Sequence, residues 1–202
     1  MWTTSAIDGE IALWNGRCDD LGFATGTGTL KLQRPDGTSI ESYTGEFHIG
    51  AINGRGGWQS ADGYYIGSFK DGEKDGKGEL NLRGERYVGM FRADRRFGLG
   101  EMTWSNGETY RGRWLNDMPD GYGEGFIHGV HFAGQWRQGC LLDNPTVGAG
   151  MPDAECAKHS PRLTVYTADE LSQMQREEKM GLSPWGCQPP KGQSGPGFLQ
   201  CD

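Results

Sequence analysis

Few residues in this chain of 202 have the type and spacing needed for chemistry. His128, His131 and Cys140 suggest a metal or nucleophile–base group, but no positioned acid accompanies them. Two ordinary loop or edge histidines are the simpler reading. The segment Asp71-Gly72-Glu73-Lys74-Asp75-Gly76, with Glu79 following, imitates the first part of a calcium loop. Its twelfth position is Leu82, where a bidentate glutamate is needed, and no helical pattern flanks it. Several Gly-x-Gly pairs look like phosphate cradles, yet each leads into a strand pattern, so no helix N-terminus is there to hold an anion. Glu79, Glu101 and Glu124 recur on one polar face, whole hairpins apart, too far for a general acid–base pair. They read as a solvated face or a stripe for basic partners. No nucleophile, base and orienting group can be assembled, so the expectation is a non-enzyme with no catalytic residue, metal or cofactor.

Charge and cysteines bound the partners. The net charge of −7 speaks against a general nucleic-acid binder. Against that background Arg86, Arg92, Arg95, Arg96, Arg111 and Arg113 concentrate positive charge in the middle of the chain, a candidate dock for an anionic lipid headgroup or an acidic protein. Glu85, Asp94 and Glu108 lie among them, so a mixed-charge solvated face is the competing reading. Cys18 reads as a small buried hydrophobe. Cys140, Cys156, Cys187 and Cys201 suggest two disulfides in an oxidising compartment, with three pairings open. The alternatives are free thiols, or zinc through Cys156-x-x-His159 with Cys187 and Cys201. The lack of a Cys-x-x-Cys pair weakens the zinc reading.

The elements that carry these residues are repeats. Phrases of the form Tyr-x-Gly-x-(Phe/Trp) begin at Tyr43, Tyr65, Tyr87, Tyr110 and, with Phe leading, at Phe132, so successive starts differ by 22, 22, 23 and 22 residues. A period of that length marks one small unit copied and stacked. Glycines follow at fixed offsets: Gly50, Gly72 and Gly139 seven residues after the aromatic, with Asp94 and Asp117 in the other two copies. Then come the pairs Gly54/Gly56, Gly76/Gly78, Gly98/Gly100 and Gly121/Gly123. An earlier, degenerate copy carries Trp14, Gly16 and Cys18 in place of Tyr, Gly and Phe. Alternation puts Tyr87, Gly89 and Phe91 on one strand face, and Gly100, Met102 and Trp104 on one face of the next. Each unit therefore reads as a β-hairpin with an aromatic face and a polar face. The glycine between two aromatics leaves bare backbone on which a ring can lie, so Gly89→Val is expected to damage folding rather than binding alone. Asp62-Gly63 and Asn106-Gly107 supply tight turns.

These residues resemble the MORN repeat (membrane occupation and recognition nexus), in four full copies, one degenerate copy and one truncated copy over roughly two-thirds of the chain. The resemblance implies an all-β fold: an elongated, single-layer, twisted antiparallel sheet of successive hairpins, here of about ten to twelve strands. It also implies a scaffold, an oligomerisation platform or an accessory module, with phospholipid binding as a further family property. The departures at Asp94, Asp117 and Cys18 leave open the regularity of two loops and of the first hairpin.

The expected organisation is an array over residues 1–142, with the degenerate copy near 14–42, full copies over 43–131 and a truncated copy over 132–142. A tail over 143–202 follows, with one helix near 168–180 opened by the capping box Thr167-x-x-Glu170. The tail either covers the sheet or binds a partner. No export signal or spanning segment is visible near Met1, so a cytoplasmic protein is the default, or a periplasmic or secreted one whose signal has been removed. The leading functional expectation is a non-catalytic scaffold binding a protein partner through exposed rings of the repeat face: Tyr65, Phe69, Tyr87, Phe91, Trp104, Tyr110 and Trp114. Self-association through the array ends is a further expectation. The alternatives are a peripheral anionic-phospholipid binder using the central arginines, and a regulatory subunit of an enzyme on another chain.

Overall fold

The computed structural model describes residues 2–5, 10–144, 146–150 and Cys156. Among them the chain forms 14 strands, all antiparallel to their neighbours. Strands β1 (Trp2–Ser5), β2 (Ile11–Trp14) and β4 (Ala24–Gln33) open the sheet, with the short β3 (Arg17–Cys18) pairing β4 off the main path. Then β5 (Ser39–His48), β6 (Ala51–Ser60), β7 (Gly63–Lys70), β8 (Glu73–Leu82), β9 (Glu85–Arg92) and β10 (Arg95–Thr103) follow in strict sequence order. The sheet continues through β11 (Thr109–Leu115), β12 (Met118–Ile127), β13 (Val130–Arg137) and β14 (Cys140–Leu141), and it does not close on itself. The hairpin array is as expected, with more strands than the ten to twelve anticipated. The additional strands include β1, which precedes the first repeat copy. The expected helix near 168–180, Cys187 and Cys201 lie outside the described residues. Among the described residues no helix is long and apolar enough to cross a membrane.

One face of the sheet is built by rings lying flat on glycine. A Cβ placed on Gly89 would sit 2.4 Å from the Tyr87 hydroxyl, and one on Gly100 would sit 2.2 Å from it. Gly67 and Gly78 stand in the same relation to Tyr65, as do Gly112 and Gly123 to Tyr110. Each tyrosine hydroxyl then donates to the carbonyl three residues on: Tyr43 to Glu46, Tyr65 to Ser68, Tyr87 to Met90 and Tyr110 to Arg113, at 3.0–3.3 Å. That bond satisfies the polar end of a buried ring. The first glycine of each pair has another task. Gly76 (φ +98°) and Gly98 (φ +65°) take a left-handed conformation beside the register shifts Gly67/Phe69 and Phe97/Gly100, where a side chain would be strained.

The rings join into one ladder. Trp14, Phe47, Tyr43, Phe69, Tyr65, Phe91, Tyr87, Trp114, Tyr110 and Trp136 meet edge to face, with centroids 4.5–5.3 Å apart. Each full-copy tyrosine touches the Phe or Trp of its own repeat and that of the next. Such geometry is the favoured one for aromatic quadrupoles.

The departures from the repeat are accommodated. Trp14 takes the tyrosine role in the first copy, its ring over Gly16 and Gly28 and its Nε1 donating to the Arg17 carbonyl at 3.1 Å. The strand breaks there, and Cys18 falls on β3, half-buried against the core. The loops at Asp94 and Asp117 keep the two-residue turn with positive φ at both central positions: Ala93 +46° and Asp94 +66°, Asn116 +48° and Asp117 +69°. Their carboxylates accept from the neighbouring hairpin, Asp94 from the Lys74 amide at 3.0 Å and Asp117 from the Arg96 amide at 2.9 Å. Those bonds offset the left-handed strain that glycine would have avoided. Burial pushes the Asp94 carboxyl up, but the hydrogen bonds and charge of Lys74 outweigh it and hold the group below the usual range.

Candidate functional site

The expected contact residues are mostly core. Tyr65, Phe69, Tyr87, Phe91, Tyr110 and Trp114 are all buried, none more than 8% exposed. The reading of these six as exposed contacts is therefore corrected. Stacking a Tyr on two glycines and between two neighbouring rings leaves it no free face. Burial pushes the Tyr65 and Tyr110 phenols well above their ordinary value. Trp104 alone of the seven is half-buried, and Gly150 sits against its indole.

A second apolar tier shares the ring face. Leu30 pairs with Tyr43; Trp58 stands between Tyr43 and Tyr65; Leu80 stands between Tyr65 and Tyr87. All three are half-buried, as are Ile52 and Phe132, and all pack against the ladder. The Trp58 Nε1 donates to Glu41 at 2.9 Å. Alternation places these residues, but their partial exposure depends on how far each ring of the ladder overhangs its neighbour. No residue-type signal in the repeat marks it.

The chain itself docks on one end of this face. After β14 it turns back, with the Leu141 amide donating to the Val147 carbonyl at 3.1 Å and the Ala149 amide to Gly139 at 2.8 Å. Val147 and Ala149 join the ring cluster. A disulfide between Cys140 and Cys156 closes the turn, both cysteines buried. The structure thus selects one pairing among those that sequence spacing left open.

The arginines do not converge. Arg86 donates from Nε and Nη2 to the two Glu79 carboxylate oxygens at 2.9 and 3.0 Å, and Tyr64 donates to the same carboxylate at 2.8 Å. Those bonds hold the Glu79 carboxyl below its usual range. Arg96 donates to Asp117 at 3.0 Å, with its guanidinium over the Trp114 ring on the ring side. Arg92 lies over Phe97, 3.8 Å from the centroid. Arg111 stands on the opposite face, in register between Glu101 and Glu124. Arg113 is partly buried, with Nη2 enclosed and unbonded among the described residues. Of these six, only Arg95 is exposed without a side-chain bond among the described residues. A phosphate would have to break several of these contacts to gather the six.

Nor is the histidine–cysteine group assembled. His128 pairs with Glu108 at 3.4 Å, the His131 ring meets Phe126 at 5.0 Å, and Cys140 is in the disulfide. In the calcium-like segment, Asp71 occupies a turn and accepts from Asn53 at 3.0 Å. Among the described residues no cluster of three His, Cys, Asp or Glu side chains is placed to hold a metal ion.

Comparison with protein families gives one match: the MORN repeat model aligns to residues 43–63, 65–80, 87–109 and 110–124. Comparison with curated proteins returns no match.

Proposed function

The chain is a MORN-repeat protein across residues 43–124, and from that premise we propose a non-catalytic scaffold that binds a protein partner through the second tier of the ring face. MORN repeats are modules of protein and membrane-lipid interaction. The observation that carries the protein reading is the half-buried row Leu30, Trp58 and Leu80, which continues the apolar surface on which Val147 and Ala149 already pack. A surface that accepts the chain's own returning segment has the polarity for another chain's apolar side chains. The engagement of Arg86 and Arg96 with carboxylates weighs against a lipid headgroup as the main ligand. The Cys140–Cys156 disulfide favours the periplasmic or secreted alternative over the cytoplasmic default.

The test is affinity capture from the native source with the wild-type chain and with Trp58→Ser combined with Leu80→Gln. A stoichiometric protein lost from the variant, while its circular dichroism still shows the folded array at the assay temperature, is the expected result. Photo-crosslinkers placed at Leu30 and at Ile52 give a second readout that does not depend on the variant's stability. Crosslinks to a partner at neither position, with binding instead to anionic vesicles, would overturn the proposal.

A further inference from the structure

The outer face of the last hairpin carries an arrangement that neither the ladder nor the second tier uses. Tyr122, Glu124 and Phe126 alternate along β12, and all three are exposed. Their register partners on β13 are Gln135, Ala133 and His131, also exposed. Ala133 projects only a methyl group, so the space beside Glu124 stays open between the Tyr122–Gln135 pair and the Phe126–His131 pair.

Strand β13 is also where the sheet runs short of partners. The turns His128-Gly129 and Gln138-Gly139, with positive φ at both residues, fix which backbone groups face which way. Strand β14 pairs only Trp136 and Arg137, and the Leu142 amide reaches the Gln135 carbonyl at 2.8 Å. With a period of two, the N–H and C=O of Ala133 and His131 point the same way as those of Gln135, away from β12. Among the described residues no strand lies beside them.

We infer that this edge binds an extended peptide strand of a protein partner, with a lysine or arginine of that strand lying across Ala133 to Glu124. The backbone would be satisfied as in any added strand, and the side chain over the gap supplies specificity. The distance fits: an added strand lies two strand spacings, about 10 Å, from β12, a gap that a long cationic stem and a glutamate span between them. Tyr122 and Phe126 stand two residues to either side of Glu124, so the cation would pass between two rings.

Charge selects this occupant. The row Glu101–Arg111–Glu124 holds two carboxylates for one guanidinium, and the whole chain carries −7. A second copy pairing through the same edge would bring His131, Ala133 and Gln135, and so no lysine or arginine to face Glu124. The surface is separate from the ring face, so the two proposals can fail independently.

The experiment uses the full-length, isotope-labelled protein and the synthetic peptide acetyl-Thr-Val-Thr-Lys-Thr-Val-Thr-amide, with norleucine replacing lysine as control. The expected result is amide shifts centred on residues 131–135 and binding about threefold weaker for the norleucine peptide. Glu124→Gln, an exposed and near-isosteric change, should abolish that difference. The Trp58→Ser, Leu80→Gln variant should bind the lysine peptide as the wild type does, which separates this edge from the ring face. Equal affinity for the two peptides, shifts centred elsewhere, or dimerisation through β13 in ultracentrifugation would each overturn the inference.

Discussion

Gly89 and Gly107 are both glycines of the middle repeats, and alanine at each tests a different part of the physical account. Gly89 has no unusual φ, but its Cβ would meet the Tyr87 hydroxyl at 2.4 Å and the Gly100 Cα at 2.6 Å. Real Cβ atoms do not tolerate such distances, so Tyr87 must leave its seat or the strands must part. Leaving breaks the hydrogen bond to Met90, worth about 1 kcal/mol, and disturbs ring contacts to Phe91 and Trp114, each worth about 0.5–1.5 kcal/mol. With some backbone strain added, the expected cost is about 3–4 kcal/mol. Gly107 has φ +86° and nothing within 4 Å of its would-be Cβ. Alanine there meets only left-handed strain, about 1–2 kcal/mol, part of which is recovered from the unfolded chain. Urea and thermal unfolding followed by near-ultraviolet circular dichroism should separate the two, by roughly 10 °C against roughly 3 °C. A Tyr87→Ala background should shrink the Gly89→Ala cost, because the ring is then absent. Equal shifts for Gly89→Ala and Gly107→Ala would refute the claim that ring seating sets the glycine positions.

Other consequences are as direct. Burial raises the folded-state phenol pKa of Tyr43, Tyr65 and Tyr110 above the unfolded value; the stability they contribute is whole below about pH 10 and is lost as pH rises beyond it. Thermal midpoints should therefore fall in alkali, with phenolate absorbance from these rings appearing only on unfolding. Reducing the Cys140–Cys156 bond, which closes a sequence separation of 16, should cost about 3 kcal/mol; it should also speed amide exchange at Val147 and Ala149, read by mass spectrometry with and without a dithiol. Asp94→Ala keeps the left-handed φ while losing the bonds from Lys74. It should destabilise by about 1–2 kcal/mol, against little change for Asp94→Gly, as read from urea midpoints.

The hairpin order, the ring face and the seating of tyrosine on glycine were legible because each follows from a period of two within strands and a period near 22 between them. Strand β1 was not legible, because it precedes the first repeat copy; β2 ends on Trp14, the lead aromatic of the degenerate copy, and its pairing with β4, Trp14 opposite Leu30, is the same hairpin as Tyr43 opposite Trp58. The face of each arginine was legible for Arg111 and Arg113. Alternation from Gly100 and Met102 puts Arg96 on the ring face too, and the two extra residues between Phe97 and Gly100 keep that phase; the seat of its guanidinium over Trp114 was not legible, because it depends on the neighbouring hairpin. Packing of most candidate contact rings on one another was the competing expectation for them, and the structure carries it to six of the seven. Parity placed Tyr65 and Tyr110 on an apolar face correctly, but it does not say that a one-layer sheet can bury its own rings by tiling them edge to face.

That tiling constrains where recognition can be written into the chain. Tyr87 is fixed by two glycines, one carbonyl and two rings; a residue held by so many partners cannot also vary to suit a ligand. The same holds for Tyr65 and Tyr110, so the signature residues specify the array and are spent on it. What remains variable lies between them: Trp58 and Leu80, which share one register position on the ring face with the buried Met102, and Ile66, Val88, Arg111 and Ala133, which share one on the outer face with the glutamates. These positions differ in size and charge from copy to copy, while the glycines and tyrosines around them do not. Under the proposed scaffold role, a partner would read that sequence of differences, laid out one hairpin after another along a sheet whose geometry the repeats hold constant.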